Sequence, residues 1–367
     1  MKLCFLADGG VHTLRFLTEF LEMGHEIYLI TFDKGVAIEG VKTYKLKYHF
    51  KVAYPLRIFE IQRAINLINP DILHALYVSH YGIYASLLNF HPLILSAMGS
   101  DILIAPKKSK IFSLLLKLSF VNADLMHVSD EKAKRTLIDL GCNPQKIFTL
   151  EWGVNVNKYS PQARSQLLRK KLKIDDCFSI INVSNWEINY NVSVLIKAIP
   201  LVLKKVPNVK FILLGGGSLE MYLKKIAAQL GISNNVLFIG KIPYDEMPTY
   251  LASVDVFVET ISDYVYAFGK IFKRRPGMGI GQAVKEAMAC GTPQILPNHS
   301  SIDYNLFKGL TYKQLDYEDL SEKIVQLLQD DELRKKISEE SRKAIVEACD
   351  IKNISKTWIE LYKRISN

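Results

Sequence analysis

The sequence predicts an α/β protein of two doubly wound domains, each a parallel sheet covered by helices. Short apolar runs rich in β-branched residues alternate with amphipathic helical segments, and the alternation restarts after residue 160. The 367 residues are also more than one ordinary core accommodates. We therefore expect a first domain over 1–158 and a second over 159–349. A C-terminal helix at about 350–367 is expected to pack back on the first domain.

The first half opens with a strand, KLCFLA, that runs into a glycine turn at Gly9 and Gly10. A helix should follow and end at Gly24, because the apolar positions before that glycine keep helical spacing: Val11, Leu14, Leu17 and Leu21. Further strands are predicted at EIYLIT, DILHAL, LILSAM, LMHVS and IFTLE. His74 lies within DILHAL, and we expect it to be a hydrogen-bonded core histidine.

The second half repeats the pattern with strands at SIINVS, VKFILLG, NVLFIG, DVFVET and PQILP. Helices between them are predicted at NVSVLIKAIPLVLKKV and LEMYLKKIAAQLG. The last helix carries an apolar face suited to packing on a domain: Ile354, Trp358, Leu361 and Ile365. Repeated strand–helix alternation favours parallel sheets with crossover helices.

Composition excludes several classes of protein. Apolar residues make up 49% of the chain, which supports a sizeable core and argues against general disorder. The five scattered cysteines form no C-x-x-C pair, so we expect neither a disulfide framework nor a zinc site. Free cysteines of this kind favour a cytoplasmic location. No apolar run reaches membrane-spanning length, and the N-terminus does not resemble a signal peptide. The net charge of +10 favours an anionic partner, but no nucleic-acid-binding module is recognisable.

Four glycine-bearing loops follow predicted strands: Gly9–Gly10 and Gly99–Asp101 in the first domain, Gly215–Gly217 and Gly279–Glu286 in the second. Each alone is ordinary turn chemistry. Ligands of doubly wound sheets bind at the carboxyl ends of the strands, however, and two such loops per domain predict a cleft between the domains.

The segment GIGQAVKEAMACGTP (279–293) is the most informative. Gly279 and Gly281 allow backbone N–H groups to approach a ligand closely, and the helix that follows adds its positive end, which suits a phosphate. Glu286 lies one or two turns into that helix, where a carboxylate can accept hydrogen bonds from a ribose diol. Gly291 should end the helix. The alternative is a plain glycine turn before a helix packed on small residues.

Together these stretches resemble the retaining glycosyltransferases of family 4, which have the GT-B fold of two Rossmann-like domains facing a central cleft. The likeness covers nearly the whole chain, and its most specific parts are NVLFIGKIPYDEMPTYLASVDVFV and KEAMACGTP. The other stretches that carry it are the first glycine loop, PDILHALY, the GSD at 99–101, FTLEWGVNVNKYSP and FILLGGGSLEMYLKK.

The resemblance implies a UDP- or GDP-sugar donor on the second domain and an acceptor on the first. Glu286 matches the family's ribose-binding glutamate, and Ile242 lies in the loop whose backbone meets the base. The remaining donor-binding positions that it implies are Gly9, Gly10, Gly215, Gly281, Gln282 and Ala283. No Asp-x-Asp motif occurs, and we expect neither a metal nor a cofactor. We expect Glu286→Ala to abolish transfer without disturbing the core.

Several positions depart from the family pattern. The other glutamate of the donor motif falls on Met278, the histidine before GSD falls on Met98, and the usual arginine and lysine that clamp the diphosphate fall on Ser184–Asn185 and Tyr190. A segment at 264–276, where the family has little or nothing, carries Lys270, Lys273, Arg274 and Arg275. Lys273 or Arg274 is a candidate replacement clamp. The alternatives for this segment are an acceptor-binding or membrane flap and a solvated loop.

Three further features are relevant to catalysis and location. His12, beside the first glycine loop, is a candidate base toward the acceptor, or else a surface residue. Asp101 either orients substrate hydroxyls or caps the following turn. The stretch PKKSKIFSLLLKLSF (106–120) is either a membrane-resting helix or a mostly buried helix with a charged first turn.

The sequence therefore predicts a metal-independent, retaining hexosyltransferase that transfers sugar to a glycan or lipid-linked acceptor in cell-surface glycan or glycoprotein glycan assembly. It would be cytoplasmic, with peripheral contact to an anionic membrane. The alternative is a catalytically weak scaffold subunit of a glycan-assembly complex, suggested by the missing clamp residues.

Overall fold

A computed structural model describes residues 1–33, 38–47, 54–103, 110–267, 270–273, 280–299 and 302–366. The chain divides into two compact units, one formed by Met1–Gly153 with Ile351–Asn367 and the other by Val154–Asp350. Both are parallel α/β sheets, as the sequence predicts.

The first unit contains a seven-stranded sheet in the order β3-β2-β1-β4-β5-β6-β7, with every pairing parallel. Its strands are β1 (Lys2–Leu6), β2 (Glu26–Thr31), β3 (Lys42–Lys45), β4 (Ile72–Leu76), β5 (Leu93–Ser96), β6 (Leu125–Val128) and β7 (Ile147–Thr149). The helices between them are α1 (Val11–Glu22), α2 (Tyr54–Ile68), α3 (Ile83–Ser86), α4 (Ser100–Leu103), α5 (Lys110–Asn122) and α6 (Glu131–Asp139). Helix α1 is followed by Gly24 at φ +82°, so the predicted stop is confirmed.

The second unit contains a six-stranded parallel sheet in the order β10-β9-β8-β11-β14-β15. Its strands are β8 (Phe178–Val183), β9 (Val209–Leu214), β10 (Val236–Gly240), β11 (Val256–Val258), β14 (Gln294–Pro297) and β15 (Leu310–Tyr312). The helices are α7 (Gln166–Leu172), α8 (Val192–Lys205), α9 (Glu220–Gln229), α10 (Met247–Ala252), α11 (Gln282–Ala289), α12 (Tyr317–Gln329) and α13 (Asp331–Cys349).

An antiparallel hairpin of β12 (Tyr264–Ala267) and β13 (Lys270–Lys273) separates β11 from α11. These two strands were not predicted from the sequence. The signal was present, because two short runs of aromatic and β-branched residues flank Gly269.

The C-terminal helix α14 (Ile351–Ser366) packs on the first unit. Trp358 is fully buried in its core and contacts Phe16 edge to face, with ring centroids 5.5 Å apart. Large aromatic side chains of this kind dominate the energetics of a core. Among the described residues, no helix combines the length and the apolarity needed to cross a membrane.

Candidate donor-binding and acceptor-facing sites

The candidate donor site lies at the carboxyl ends of the strands of the second unit. There, the loops after β8 and β9 pack backbone to backbone. Gly215 adopts φ +141°, and a Cβ at this position would overlap the carbonyl oxygen of Ser184. A Cβ on Gly217 would lie 2.5 Å from the carbonyl oxygen of Trp186. Glycine is therefore required at both positions for the two loops to approach each other.

Glu187 fixes this pair of loops in place. Its Oε1 accepts the backbone N–H of Ser218 at 2.7 Å, and its Oε2 accepts the Ser218 hydroxyl at 2.6 Å. These hydrogen bonds lower the pKa of the Glu187 carboxyl, because they stabilise its ionised form. Sequence reasoning missed Glu187, which the chain places only three residues after Ser184.

Ser184–Asn185 and Tyr190 occupy the two positions where the arginine and lysine of the diphosphate clamp are expected. The Ser184 hydroxyl donates to Oδ1 of the buried Asn182 at 2.7 Å, and Nδ2 of Asn185 donates to the Tyr190 hydroxyl at 3.1 Å. Both side chains are thus neutral and hydrogen-bonded within their own loop.

Lys241 follows β10 at the same edge of the sheet. Its exposed side chain runs along Gly216, since a Cβ there would lie 3.5 Å from Cε of Lys241. The preceding residue, Gly240, joins the end of β10 to the loop after β9, because its carbonyl oxygen accepts the backbone N–H of Gly215 at 2.9 Å. Ile242, predicted to meet the base, is the next residue and is partly buried. Lys241 therefore provides a cation beside the glycine loop.

Helix α11 begins at Gly281, which has an extended backbone as N-cap. Gln282 and Ala283 form its first turn, and the helix ends before Gly291 at φ +71°, as predicted. Glu286 is only 2% exposed, so the expectation that it stands clear of the core is wrong. Positions 284–289 of α11 are all buried, so every face of the helix is covered around Glu286.

Glu259, at the end of β11, lies beside the start of α11. Its Oε1 accepts the backbone N–H groups of Thr260 at 2.8 Å and Ile261 at 3.1 Å. Its Oε2 would lie 3.5 Å from a Cβ on Gly281. A second buried carboxylate thus accompanies Glu286 at this helix.

Of the remaining donor-site predictions, Lys273 ends strand β13, and its side chain lies outside the described residues, as do Arg274, Gly279 and Met278. In the described part of the chain, no three side chains of His, Cys, Asp or Glu gather as metal ligands would.

The glycine loop of the first unit is held by carboxylates. Oδ1 of Asp8 accepts the Gly10 N–H and the Thr13 hydroxyl, both at 3.1 Å, and Asp33 accepts the Gly9 N–H at 2.8 Å. Burial, with the charges of Asp8 and Asp101, raises the pKa of Tyr77 to about 12. Neither Asp8, which directly precedes Gly9 and Gly10, nor Tyr77 was assigned a role from the sequence.

Asp101 is 2% exposed, and backbone groups surround its carboxylate. Oδ2 accepts the Val78 N–H at 2.8 Å and Oδ1 accepts those of Met98 at 3.0 Å and Ile102 at 3.1 Å. Burial raises its pKa, and these hydrogen bonds partly oppose the shift. The contacts match the turn-stabilising alternative for Asp101. The side chain of His12 lies outside the described residues.

The sequence that forms these strands and loops matches two family models. "Glycosyl transferase 4-like" matches residues 2–130 and "Glycosyl transferases group 1" matches residues 164–344. The chain belongs to the family 4 glycosyltransferases.

Characterised relatives of this glycosyltransferase cover part of it. A GDP-mannose-dependent monoacylated alpha-(1-6)-phosphatidylinositol monomannoside mannosyltransferase of Corynebacterium glutamicum is 28% identical over 232 residues, 61% of this chain and 57% of the relative. A similar mannosyltransferase of Mycolicibacterium smegmatis is 26% identical over 173 residues, 46% of this chain and 42% of the relative. The chain thus spans about half the length of these relatives.

Solved structures share the fold over its full length. HepE of Anabaena, in complex with UDP-glucose, has a TM-score of 0.80 at 18% identity and covers 99% of this chain and 100% of its own. Sucrose-phosphate synthase of Thermosynechococcus elongatus has a TM-score of 0.81 at 14% identity, covering 99% and 98%. The predicted GT-B fold of two Rossmann-like domains is confirmed.

Proposed function

We propose that this glycosyltransferase is a metal-independent, retaining hexosyltransferase that moves a sugar from a UDP- or GDP-sugar to a glycan or lipid-linked acceptor. The observation that carries the proposal is helix α11, which follows the Gly281 N-cap with Gln282 and Ala283 in its first turn and carries Glu286 in the next turn. The printed names of GDP-mannose-dependent relatives and of the UDP-glucose complex support a nucleotide-sugar donor.

The chemistry follows from the charge that develops during transfer. The leaving diphosphate gains negative charge as the sugar becomes oxocarbenium-like, and aligned N–H groups at a helix N-terminus stabilise that charge. Lys241 adds a cation at the same edge, and Lys273 and Arg274 remain candidates for the same task. The carboxylate of Glu286 accepts hydrogen bonds from the hydroxyls of the donor ribose. The donor phosphates would also meet the loop at Gly9 and Gly10, and His12 and Asp101 remain proposed acceptor-side residues.

The acceptor side includes a surface suited to a membrane. On α5 four apolar side chains recur at helical spacing and are 40–74% exposed: Ile111, Leu114, Leu118 and Val121. Three more lie on α2, where Leu56, Phe59 and Leu67 are 47%, 73% and 69% exposed. Arg63 lies between Phe59 and Leu67 in sequence. Exposed apolar stripes flanked by cations such as Lys117 bind lipid interfaces. We propose peripheral contact with an anionic membrane through α5.

Calorimetric titration of the purified chain with UDP- and GDP-sugars, in the presence of a chelator, tests the function. We expect saturable binding of a donor, sugar transfer with retained anomeric configuration, and loss of both in Glu286→Gln. Glu347→Gln, an exposed change on α13, is the control and should behave as wild type. Binding and turnover that appear only with a divalent metal would contradict metal independence.

The scaffold alternative has one specific observation in its favour. Neither clamp position, Ser184–Asn185 nor Tyr190, carries a cationic side chain, and Asn185 and Tyr190 are hydrogen-bonded to each other. Donor binding with no turnover until a second subunit is added would establish it in place of the proposal.

A further inference from the structure

A groove of about 610 Å³ opens beside the candidate donor site, at the carboxyl ends of β14 and β15. One wall is the β12–β13 hairpin, through Tyr264 and Ile271, and the opposite wall is α12, through Asp319 and Lys323. Its volume falls within the range of about 300–1,000 Å³ typical of small-molecule sites. The hairpin belongs to the segment at 264–276, which departs from the family pattern.

The hairpin is attached firmly at its base. The carbonyl oxygen of Tyr264 accepts Nδ2 of Asn191 at 2.9 Å and the Ser262 hydroxyl at 2.6 Å. Oε1 of Gln314, from the loop after β15, accepts the backbone N–H of Asp263 at 2.7 Å. These bonds use the backbone of Tyr264, which leaves its side chain, 38% exposed, as a groove wall.

The polar groups of the groove mix donors and acceptors. Oδ2 of Asp319 accepts the Lys313 N–H at 2.6 Å, and Oδ1 lies 3.8 Å from Nζ of Lys323. Nζ of Lys313 lies 3.8 Å from Asp316. Because both lysines have a carboxylate close by, the groove is less suited to a phosphate than to a neutral polar ligand. An aromatic wall beside carboxylate, amide and ammonium groups fits a pyranose, which has C–H faces and a ring of hydroxyls.

We propose that this groove binds one sugar unit of a glycan, with the pyranose on the Tyr264 ring and its hydroxyls on Asp319, Lys323 and Asn298. The groove adjoins the donor site because the Tyr312 hydroxyl, in its floor, donates to the carbonyl oxygen of Glu259 at 3.2 Å. That the bound sugar belongs to the acceptor rests on the proposed function. The inference that the groove binds a sugar is independent of the proposed function.

The test is binding of the labelled full chain to a printed array of microbial and α-linked mannose and glucose oligosaccharides, without donor. Array members bound by wild type are then measured by calorimetry with Tyr264→Ala and Lys323→Gln. We expect Tyr264→Ala to weaken binding about tenfold, equivalent to about 1.4 kcal/mol for one aromatic contact. Tyr222→Ala, which removes an exposed ring on α9, is the matched control and should bind as wild type.

The array tests the sugar-binding groove, and the donor titration tests the proposed transferase function, so either proposal can be contradicted without the other. Glycan binding that is lost in Tyr264→Ala and persists in saturating UDP and GDP supports the groove, whether or not a nucleotide sugar is turned over. No binding to any array member overturns the proposal. So does binding that survives both variants, or that UDP or GDP displaces, because the bound sugar would then lie elsewhere.

Discussion

The hydroxyl of Tyr362 on α14 lies 2.7 Å from Nδ1 of His74 on β4, although 288 residues separate them. The bond is the first in a buried chain, in which Nε2 of His74 lies 2.6 Å from Oγ of Ser96 and that oxygen lies 2.9 Å from Nδ1 of His127. This series of hydrogen bonds ends at Nε2 of His127, which lies 2.7 Å from the carbonyl oxygen of Leu150. The predicted core histidine is thus confirmed, and it ties α14 to the first sheet.

The direction of every proton in this chain follows from its last acceptor. A carbonyl oxygen only accepts, so Nε2 of His127 carries a hydrogen and Nδ1 accepts from the Ser96 hydroxyl. Ser96 Oγ then accepts from Nε2–H of His74, and the Tyr362 hydroxyl donates to Nδ1 of His74. These directions hold for neutral imidazoles, and burial favours the neutral form because it lowers the pKa of His127 to about 4 and that of His74 well below 6.5.

We expect the first unit to lose stability as pH falls from 6.5 towards 4. In this window the unfolded state binds protons on His127 that the folded state does not, so stability rises with pH and is fully present above 6.5. His127 alone should account for about 3 kcal/mol, at about 1.4 kcal/mol per pKa unit. Urea unfolding followed by hydrogen exchange at β4 and β6 measures this. His127→Gln should flatten the slope, and an unchanged slope would contradict the neutral assignment.

Tyr362→Phe should destabilise the first unit by about 1–3 kcal/mol, because it keeps the ring and leaves Nδ1 of the buried His74 without its donor. The shift in urea midpoint of the first unit measures this. The exposed Tyr222→Phe on α9 is the control and should leave the midpoint unchanged. A Tyr362→Phe protein as stable as wild type would show that the hydroxyl carries no net energy.

Gly215→Ala should disrupt the donor site, because the added Cβ overlaps the carbonyl oxygen of Ser184 and alanine is strained at φ +141°. We expect loss of nucleotide-sugar binding and a lower melting temperature. Gly216→Ala is the matched neighbour, since its Cβ would meet Lys241 at 3.5 Å, an ordinary contact. Equal effects of the two changes would mean that the loop accommodates a side chain at 215.

Lys241→Ala should weaken binding of a nucleotide sugar while leaving the melting temperature unchanged, because the side chain is exposed beside the glycine loop. A charged hydrogen bond contributes about 1.5–3 kcal/mol, so we expect a loss of about tenfold or more in calorimetry. Lys225→Ala, another exposed lysine, on α9, is the control. Unchanged affinity in Lys241→Ala would mean that the diphosphate is bound by α11 and the segment around Lys273, and not by Lys241.

Local chemistry determined what could be predicted from the sequence. Strand periodicity and the glycines at 24 and 291 predicted the sheets and the ends of α1 and α11, since each depends on residues a few positions apart. The pairing of Tyr362 with His74 depends on how distant elements pack, and no local pattern encodes it.

The candidate site shows the same limit. The position of Glu286 on α11 could be predicted from the sequence, but its burial could not, because burial depends on how distant elements pack around the helix. The segment around Tyr264 was predicted to be a donor clamp, an acceptor-binding or membrane flap, or a solvated loop, and its two strands were not predicted. Two short runs flanking a single glycine form a weak hairpin signal.

The last prediction concerns α5. Leu114→Glu with Val121→Glu should abolish binding to vesicles of anionic phospholipid, because the apolar stripe can no longer enter the interface. Both side chains are at least 68% exposed, so the fold should tolerate the changes, which the melting temperature checks. Leu167→Glu on α7, exposed on the second unit, is the matched control and should retain binding. Transfer to a water-soluble acceptor should survive the double change, whereas unaltered vesicle binding would mean that α5 is not the contact.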